Sequence, residues 1–597
     1  MVARDNSISL IGLVFVLLAQ LVLAGFCDPP SPAFLPIDLS SKLYLDELKQ
    51  TRHKIHERVD KLLSGQEYDK TSISVEVTAQ SGTLFSIHHT ARNKSELYQG
   101  GAKIVGNKTN FRIASMTKPF TVLALFQLQE AGKLNLDDSL LVSLPGLNNT
   151  GYLPWKDLTI RSLANQNSGL PRDFAQDDWI NHPDVAHRLG LPPLPPERCG
   201  DVECLPACDE MVNYTRTCTN EDFIAWLEQI KPVFAPNQRS SYSNINFDLL
   251  GLVIANVSGL SYDDYVNEHI LKPIGLTAGS SFKQPSDKHA AIARDEEYYW
   301  PFYMGVQNPT GGLYSNSADM GAWMRYVLTT FNAHAHGALN WFQPTSWASG
   351  LRTFYGMPWE IYRLKTREII DSDSDRALTF ITKGGGLPAY YSLVTLIPEY
   401  NLGVTVLVAG NGKAVEHVAE IITVDMATMA EKLALQDLAS NYAGRYVAED
   451  DPTSAMVIRA SKDNALSVEK FLSRGKDVID VLNDFYAKDN EFALELSPTQ
   501  LYADEEAQKG ERWRLLPRKL RSRAVIDGDS IWSNFCISDV EIHMYGGVAV
   551  NEVVFWKDSH GQVAEIELTA YRTTLKRVPF GIDDSQTWNG QTPLELR

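Results

Sequence analysis

Several signatures of common enzyme classes are missing from this chain. No Gly-x-Ser-x-Gly, His-Glu-x-x-His, phosphate-binding loop or Gly-x-Gly-x-x-Gly segment occurs in it. An α/β-hydrolase elbow, a zincin and the common nucleotide enzymes are therefore set aside. Basic residues are scarce beside acidic ones, 55 against 73, for a formal net charge of −18. Such a surface repels phosphate backbones, so nucleic acid is not an expected partner. Cysteines are few, six in 597 residues, with no Cys-x-x-Cys pair and no histidine among them. That spacing argues against zinc, and the 13 histidines are scattered without ligand spacing. No metal and no organic cofactor is expected. No internal repeat or low-complexity run is present, and a content of 44% hydrophobic and 10% aromatic residues supports folded domains rather than disorder.

What the chain does have begins at its N-terminus. Residues 9–26 are almost wholly apolar, broken by Gln20, and Val22-Leu23-Ala24 offers small residues for cleavage before Asp28-Pro29-Pro30. This pattern predicts a signal peptide over 1–24 and secretion. The alternative is an uncleaved anchor, since the run is near the ~18 residues that permit spanning. The polar break favours cleavage, with no stable membrane insertion afterwards. Sequons at Asn93, Asn107, Asn148, Asn213 and Asn256 agree with a secretory route. In an oxidising compartment Cys199, Cys204, Cys208 and Cys218 read as a disulfide-stapled loop whose pairing stays open. Cys27 and Cys536 are then left to pair with each other.

Residues 25–70 read as a linker followed by an amphipathic helix over 41–63, with Leu45, Leu48, Ile55, Val59 and Leu62 at helical spacing. Ile73, Val75 and Val77 alternate with polar residues, which predicts a strand, with residues 84–87 as its hairpin partner. From Ser115 to Ala131 the chain is apolar nearly all round, the mark of a buried helix. Helices are expected over 247–257, 262–271 and 414–433, and strands over 391–397 and 402–408. Strands at both sequence ends with helices between them give an α+β layer fold around an antiparallel sheet. Beyond Gln436 helical periodicity fades. Alternation over 551–556 and 563–571, with extended stretches at 494–497 and 512–516, predicts a separate β-rich domain over 436–597.

The chemistry rests on three short segments. Ser115-Met-Thr-Lys118 is a Ser-x-x-Lys, which also occurs at Ser280–Lys283 and Ser473–Lys476. Only Ser115 opens a long apolar helix, where Lys118 shares its face and the helix N-terminus favours a developing oxyanion. The other two read as surface serines. A serine needs a base to take its proton, and a buried lysine or a tyrosine held as phenolate by cations serves. Tyr242-Ser-Asn244, ahead of the 247–257 helix, supplies such a tyrosine. Tyr265-Val-Asn267 lies inside a predicted helix, and Tyr314-Ser-Asn316 ranks a distant second. Lys383-Gly-Gly-Gly386 precedes a strand, and its glycines admit close approach of a substrate to the backbone.

Together these segments resemble the motifs of class C β-lactamases, DD-peptidases and the wider β-lactamase-related esterase family. Leu163–Leu170, 311–315 and 272–275 are similar to that family's connecting segments, so the resemblance covers roughly residues 70–435. It implies a β-lactamase/transpeptidase-like fold, with a catalytic domain over 71–435 and an insertion over 177–219. It also implies Ser115 as acylated nucleophile, Lys118 and Tyr242 sharing its proton, Asn244 holding Lys118 or a substrate amide, and Lys383 keeping Tyr242 ionised. The N–H groups of Ser115 and Gly386 would bind the oxyanion. Gly384 stands where the family's middle threonine is usual, which argues against β-lactam hydrolysis. The tail beyond Gln436 is similar to the β-rich appendage of some fungal members. The expected activity is hydrolysis of an ester or amide in a small-molecule or peptide-like acyl substrate. An acyltransferase and a non-enzymatic binding protein are the alternatives, and the 177–219 insertion is expected to be a stapled lid beside the active-site mouth.

Overall fold

The computed structural model describes residues 31–579 apart from breaks at 98–100, 148–150, 175–178, 180–182, 194–207, 209–215, 277–278, 332–340, 371–373, 375, 462–464, 487–491 and 520–542. The leader, Asn148, Asn213, Cys27, Cys199, Cys204 and Cys536 lie outside the described residues, as does most of the 177–219 insertion. The chain divides into two units. One comprises Asp38–Arg363 and Thr379–Ala427, the other the N-terminal segment to Ile37, Leu364–Leu378 and everything from Thr428.

The first unit is built on an eight-stranded sheet. In chain order its strands are β1 (Ser72–Ala79), β2 (Gly82–His89), β5 (Ser346–Trp347), β6 (Thr353–Tyr355), β7 (Glu360–Lys365), β8 (Ala377–Leu387), β9 (Tyr390–Ile397) and β10 (Leu402–Ala409), while β3 (Phe111–Arg112) and β4 (Tyr314–Ser315) form a separate short ladder. The spatial order is β2-β1-β10-β9-β8-β7-β6-β5. The hairpin β1–β2 and the antiparallel pair β9–β10 match the sequence pattern, and β1 pairs with β10 from Ser72 opposite Ala409 to Ala79 opposite Leu402. Every residue of β1 and of β10 is buried. Strands covered on both faces lose their polar alternation, as β10 does.

The N-terminal helix, Leu45–Leu63, buries Leu48, Ile55, Val59 and Leu63, whereas Leu45 is exposed. The expected stripe is thus rotated by one position at its end. The helix Lys118–Glu130 buries ten of its residues, Phe120, Val122, Leu125 and Leu128 among them. It packs on the helix Ile245–Ser258, and the helix Ser317–Tyr326 lies on β1 and β10. Phe120 stacks on Trp323 with ring centroids 4.7 Å apart, joining helix to helix in one core. The expected α+β layer arrangement is therefore present: helices over an antiparallel sheet, and a helical region between the sheet's two sequence halves.

In the second unit β11 (Gly444–Ala448), β12 (Ala455–Ser461), β13 (Ala465–Ser473), β14 (Lys476–Asp477), β15 (Phe492–Asp504), β16 (Lys509–Lys519), β19 (Glu552–Lys557), β20 (Val563–Leu568) and β21 (Thr573–Val578) form one sheet, and β17 (Met544–Tyr545) with β18 (Val548–Ala549) a small hairpin. β12 also pairs with β13, so the ring β11-β21-β20-β19-β16-β15-β13-β12 closes into a barrel. Tyr446, Met456, Phe471, Trp513 and Phe555 are buried in it. A helix over Val478–Tyr486 interrupts the β-rich pattern.

Candidate active site

Ser115 lies on a tight turn, not in the helix proper. A 3₁₀ turn over Ala114–Thr117 runs directly into the helix that begins at Lys118. Ala114, just before the serine, has φ +46°, a left-handed conformation that costs a residue with a Cβ of order 1–3 kcal/mol. The surroundings over-determine it. Ser392 on β9 donates to the Ile113 carbonyl at 2.7 Å, Thr117 Oγ1 donates to the Ala114 carbonyl at 2.8 Å, and Ile113 N–H donates to the Leu313 carbonyl at 3.2 Å. The turn presents Ser115 half-buried above a buried floor of Ala114, Met116 and Thr117.

Lys118 is fully buried, and its Nζ donates to Ser115 Oγ at 2.9 Å and to the Thr310 carbonyl at 2.9 Å. Tyr242 closes the group. Its hydroxyl interacts electrostatically with Ser115, Lys118 and Lys383, and its ring centroid lies 5.3 Å from Lys118 Nζ and 5.2 Å from Lys383 Nζ. Lys383 is 1% exposed and donates to Glu360 Oε1 at 2.6 Å and to the Gly384 carbonyl at 2.7 Å.

The electrostatics follow from that packing. Burial drives Lys118 below the usual lysine range, with Tyr242 opposing and Lys383 reinforcing the shift. Burial alone would raise Tyr242, but the ammonium groups of Lys118 and Lys383 outweigh it and hold the phenol below its ordinary value. Burial works against the charge of Lys383 too, yet Glu360 and then Tyr242 keep it above the usual range. Lys383 is thus a fixed cation, while Lys118 and Tyr242 are poised to share one proton next to Ser115.

Lys383–Gly386 belong to β8, between β9 and β7, rather than to a loop ahead of the strand. A Cβ on Gly385 would meet the Ile113 carbonyl at 2.3 Å, Ser392 Oγ at 2.4 Å and Ser115 N at 3.1 Å. The glycines therefore let β8 press against the nucleophile turn, at the cost of β propensity that hid this strand from the sequence pattern. Gly386 follows and is exposed.

Of the two roles expected for Asn244, a contact to Lys118 is not the one its side chain makes. The contacts of Lys118 run to Ser115, Tyr242 and Thr310. The Asn244 amide donates to Asp173 Oδ1 at 2.5 Å, its N–H to the Arg172 carbonyl at 2.7 Å, and its Oδ1 has no partner among the described residues. Thr310, a residue the sequence did not single out, links the groups. Its carbonyl receives Lys118, and its hydroxyl reaches the Asn244 carbonyl at 2.9 Å and Asp248 Oδ1 at 2.6 Å. No sequence signal marks a backbone acceptor. Glu360 was missed as well, and only its place on the strand beside β8 reveals it.

The competing motifs fall away for visible reasons. Tyr314 is buried in the β3–β4 ladder, donates to the Trp300 carbonyl at 2.6 Å and receives Arg112 at 3.2 Å. Tyr265 is buried within the helix Tyr262–Val266. Ser280 is not a surface serine. It is 4% exposed and bonded to Ser315 at 2.8 Å and Asp319 at 2.9 Å, so it is a packing residue of the core. Ser473 is a strand residue of β13. Of the cysteines, Cys208 and Cys218 are joined in a disulfide, and the Cys218 carbonyl accepts Val306 N–H at 3.4 Å.

The Beta-lactamase family pattern matches residues 82–425. The chain belongs to the β-lactamase family. A second pattern, described as Beta-lactamase-like-like, C-terminal domain, matches residues 434–579 of this family member. It is 30% identical over 575 residues to a probable hydrolase of Phoma sp., covering 94% of this chain and 92% of that protein. It is 29% identical to a probable hydrolase of Cochliobolus lunatus over 93% of this chain and 92% of that one. With a beta-lactamase-like protein of Arthroderma benhamiae it shares 26% identity over 92% of this chain and 95% of the other. Among solved structures a class C beta-lactamase aligns at 19% identity and a TM-score of 0.47, over 63% of this chain and 96% of that one.

Proposed function

We propose that this β-lactamase-family protein is a serine hydrolase that cleaves an ester or amide through an acyl-enzyme on Ser115. One observation carries the reading: a half-exposed serine hydroxyl 2.9 Å from a buried lysine, beneath a tyrosine between two ammonium groups. Ser115 Oγ attacks the substrate carbonyl, and its proton passes to the Lys118–Tyr242 pair. The tetrahedral oxyanion is received by the N–H groups of Ser115 and Gly386. The proton is then delivered to the leaving alcohol or amine as the carbonyl re-forms. Water attacks the acyl-enzyme by the same path in reverse, and Ser115 Oγ recovers a proton from the pair.

Incubation with a fluorophosphonate probe and peptide mapping tests this. Labelling at Ser115 that disappears in Ser115→Ala supports it, and labelling retained by that variant refutes it. Product analysis with added alcohols then separates transfer to water from transfer to another acceptor. Export along the secretory route, supported by the apolar leader and the sequons, favours water as acceptor. Asn93 and Asn107 are exposed, whereas the Asn256 amide already donates to the Ser143 carbonyl at 2.6 Å, so glycans belong on the first two.

A further inference from the structure

The charges around Ser115 balance internally. Glu360 reaches in from β7 with its side chain 30% exposed. One carboxylate oxygen receives Lys383 Nζ at 2.6 Å, and the other receives the Gly384 N–H at 3.0 Å. These are two donors beside the nucleophile that an anionic substrate group would use, and both are taken. A Cβ on Gly384 would meet only Glu360 Oε2, at 3.5 Å, so the carboxylate stands beside the space a side chain at that position would enter. A further cation among the described residues, Arg172, with its guanidinium 4.9 Å from the centre of the Tyr242 ring, pairs with Asp173 at 3.2 Å. Lys118 and Tyr242 exchange one proton and add no net charge. A third anion would therefore meet Glu360 and Tyr242 where these cations of the described residues are already paired, in a partly desolvated site where such repulsion is strong.

We infer that Glu360 is a specificity-determining residue that restricts this site to acyl substrates carrying no negative charge next to the scissile carbonyl. This rests on Ser115 being the nucleophile. Neutral esters and amides fit, as do those with a cationic group, which Glu360 would attract. Substrates with a carboxylate two or three atoms from the reacting carbon are rejected.

The test uses the full chain and two nearly isosteric aryl esters, 4-nitrophenyl 4-oxopentanoate and mono-4-nitrophenyl succinate, which differ in a methyl ketone against a carboxylate. The wild type is expected to favour the neutral ester in kcat/KM by at least about ten-fold, more at low salt than at high salt. Glu360→Gln should shrink that ratio several-fold, and Glu360→Asp, which keeps the charge, should largely restore it. A lowered rate on both esters with an unchanged ratio would mean that Glu360 only supports Lys383, and overturns the inference. So does a wild type that accepts both esters equally, a measurement that needs no variant. Absence of fluorophosphonate labelling at Ser115 is a separate result, and it would end the hydrolase reading itself.

Discussion

Replacing Tyr242 with phenylalanine removes one oxygen and leaves the ring in place. That oxygen carries the charge that Lys118 and Lys383 stabilise beside Ser115. Without it, two ammonium groups about equally far from the ring centre, 5.3 and 5.2 Å, face each other with no anion between them. Lys383 keeps its charge through Glu360. Lys118 loses the largest influence opposing its burial, so it becomes more fully neutral. It could still accept the serine proton, but the path from Ser115 to the leaving group is cut. Loss of a positioned proton-transfer group costs about 10²–10⁴ in rate, or about 3–5 kcal/mol of barrier. The control is Tyr314→Phe, which removes a hydroxyl bonded to the Trp300 carbonyl and to Arg112. Losing a buried, satisfied hydroxyl costs about 1–3 kcal/mol of stability, with turnover per folded molecule unchanged. Steady-state hydrolysis of an aryl ester, paired with thermal melts, separates the two. A Tyr242→Phe enzyme within a few-fold of wild type would refute the assignment, as would a Tyr314→Phe enzyme equally slow once its folded fraction is counted.

Lys383→Met should move the rising limb of the pH–kcat/KM profile to higher pH, because the lysine charge lowers both Tyr242 and Lys118. An unshifted limb would show that Lys383 does not tune the pair. Reducing the Cys208–Cys218 bridge, or replacing both residues with serine, should lower stability by about 2–3 kcal/mol for a ten-residue separation, read as a fall in melting temperature. An unchanged melt would show that the bridge restrains nothing. Asp222 is held below the ordinary 3.8, first by its hydrogen bond to Arg216, as it caps the helix Asn220–Leu227. Its contribution to stability is present above about pH 4 and lost as the pH falls below that value. Asp222→Asn should therefore lower stability at neutral pH and flatten the acid limb of the stability profile, and a parallel acid limb would contradict the linkage.

Much of the site was legible because its parts sit at element boundaries that sequence marks well. Ser115 was separable from Ser280 by the apolar run that follows it, and Tyr242 from Tyr265 by lying ahead of a helix rather than inside one. The strands β1, β9 and β10 carried plain hydrophobic patterns. Less legible were groups defined by proximity across the fold. Thr310 acts through a carbonyl, which any residue has. Glu360 is an ordinary polar residue of an alternating strand until β8 is laid beside it. β8 itself was hidden by its glycines, which weaken strand propensity where the backbone must approach the nucleophile turn. Asn244 is a mixed case: its amide turns toward Asp173 rather than Lys118, which leaves the substrate amide as the other expected partner. Ser280 was misjudged because small polar residues in a Gly/Ser stretch look solvent-exposed, whereas its hydrogen bonds to Ser315 and Asp319 make it part of the interior.

The closed ring of the C-terminal unit has a consequence for synthesis. β11 pairs with β21, joining Arg445 to Val578. The first strand of the ring to leave the ribosome must wait for the last before either side is fully paired. Until then β11 and β20 each present an open row of backbone donors and acceptors, a template for another chain. A premature stop or a proteolytic cut ahead of residue 573 would remove β21 and leave β11 and β20 each without the partner they have in the ring. Loss of that strand should thus appear in a cell as aggregation or degradation of the whole polypeptide, even with every residue around Ser115 still encoded.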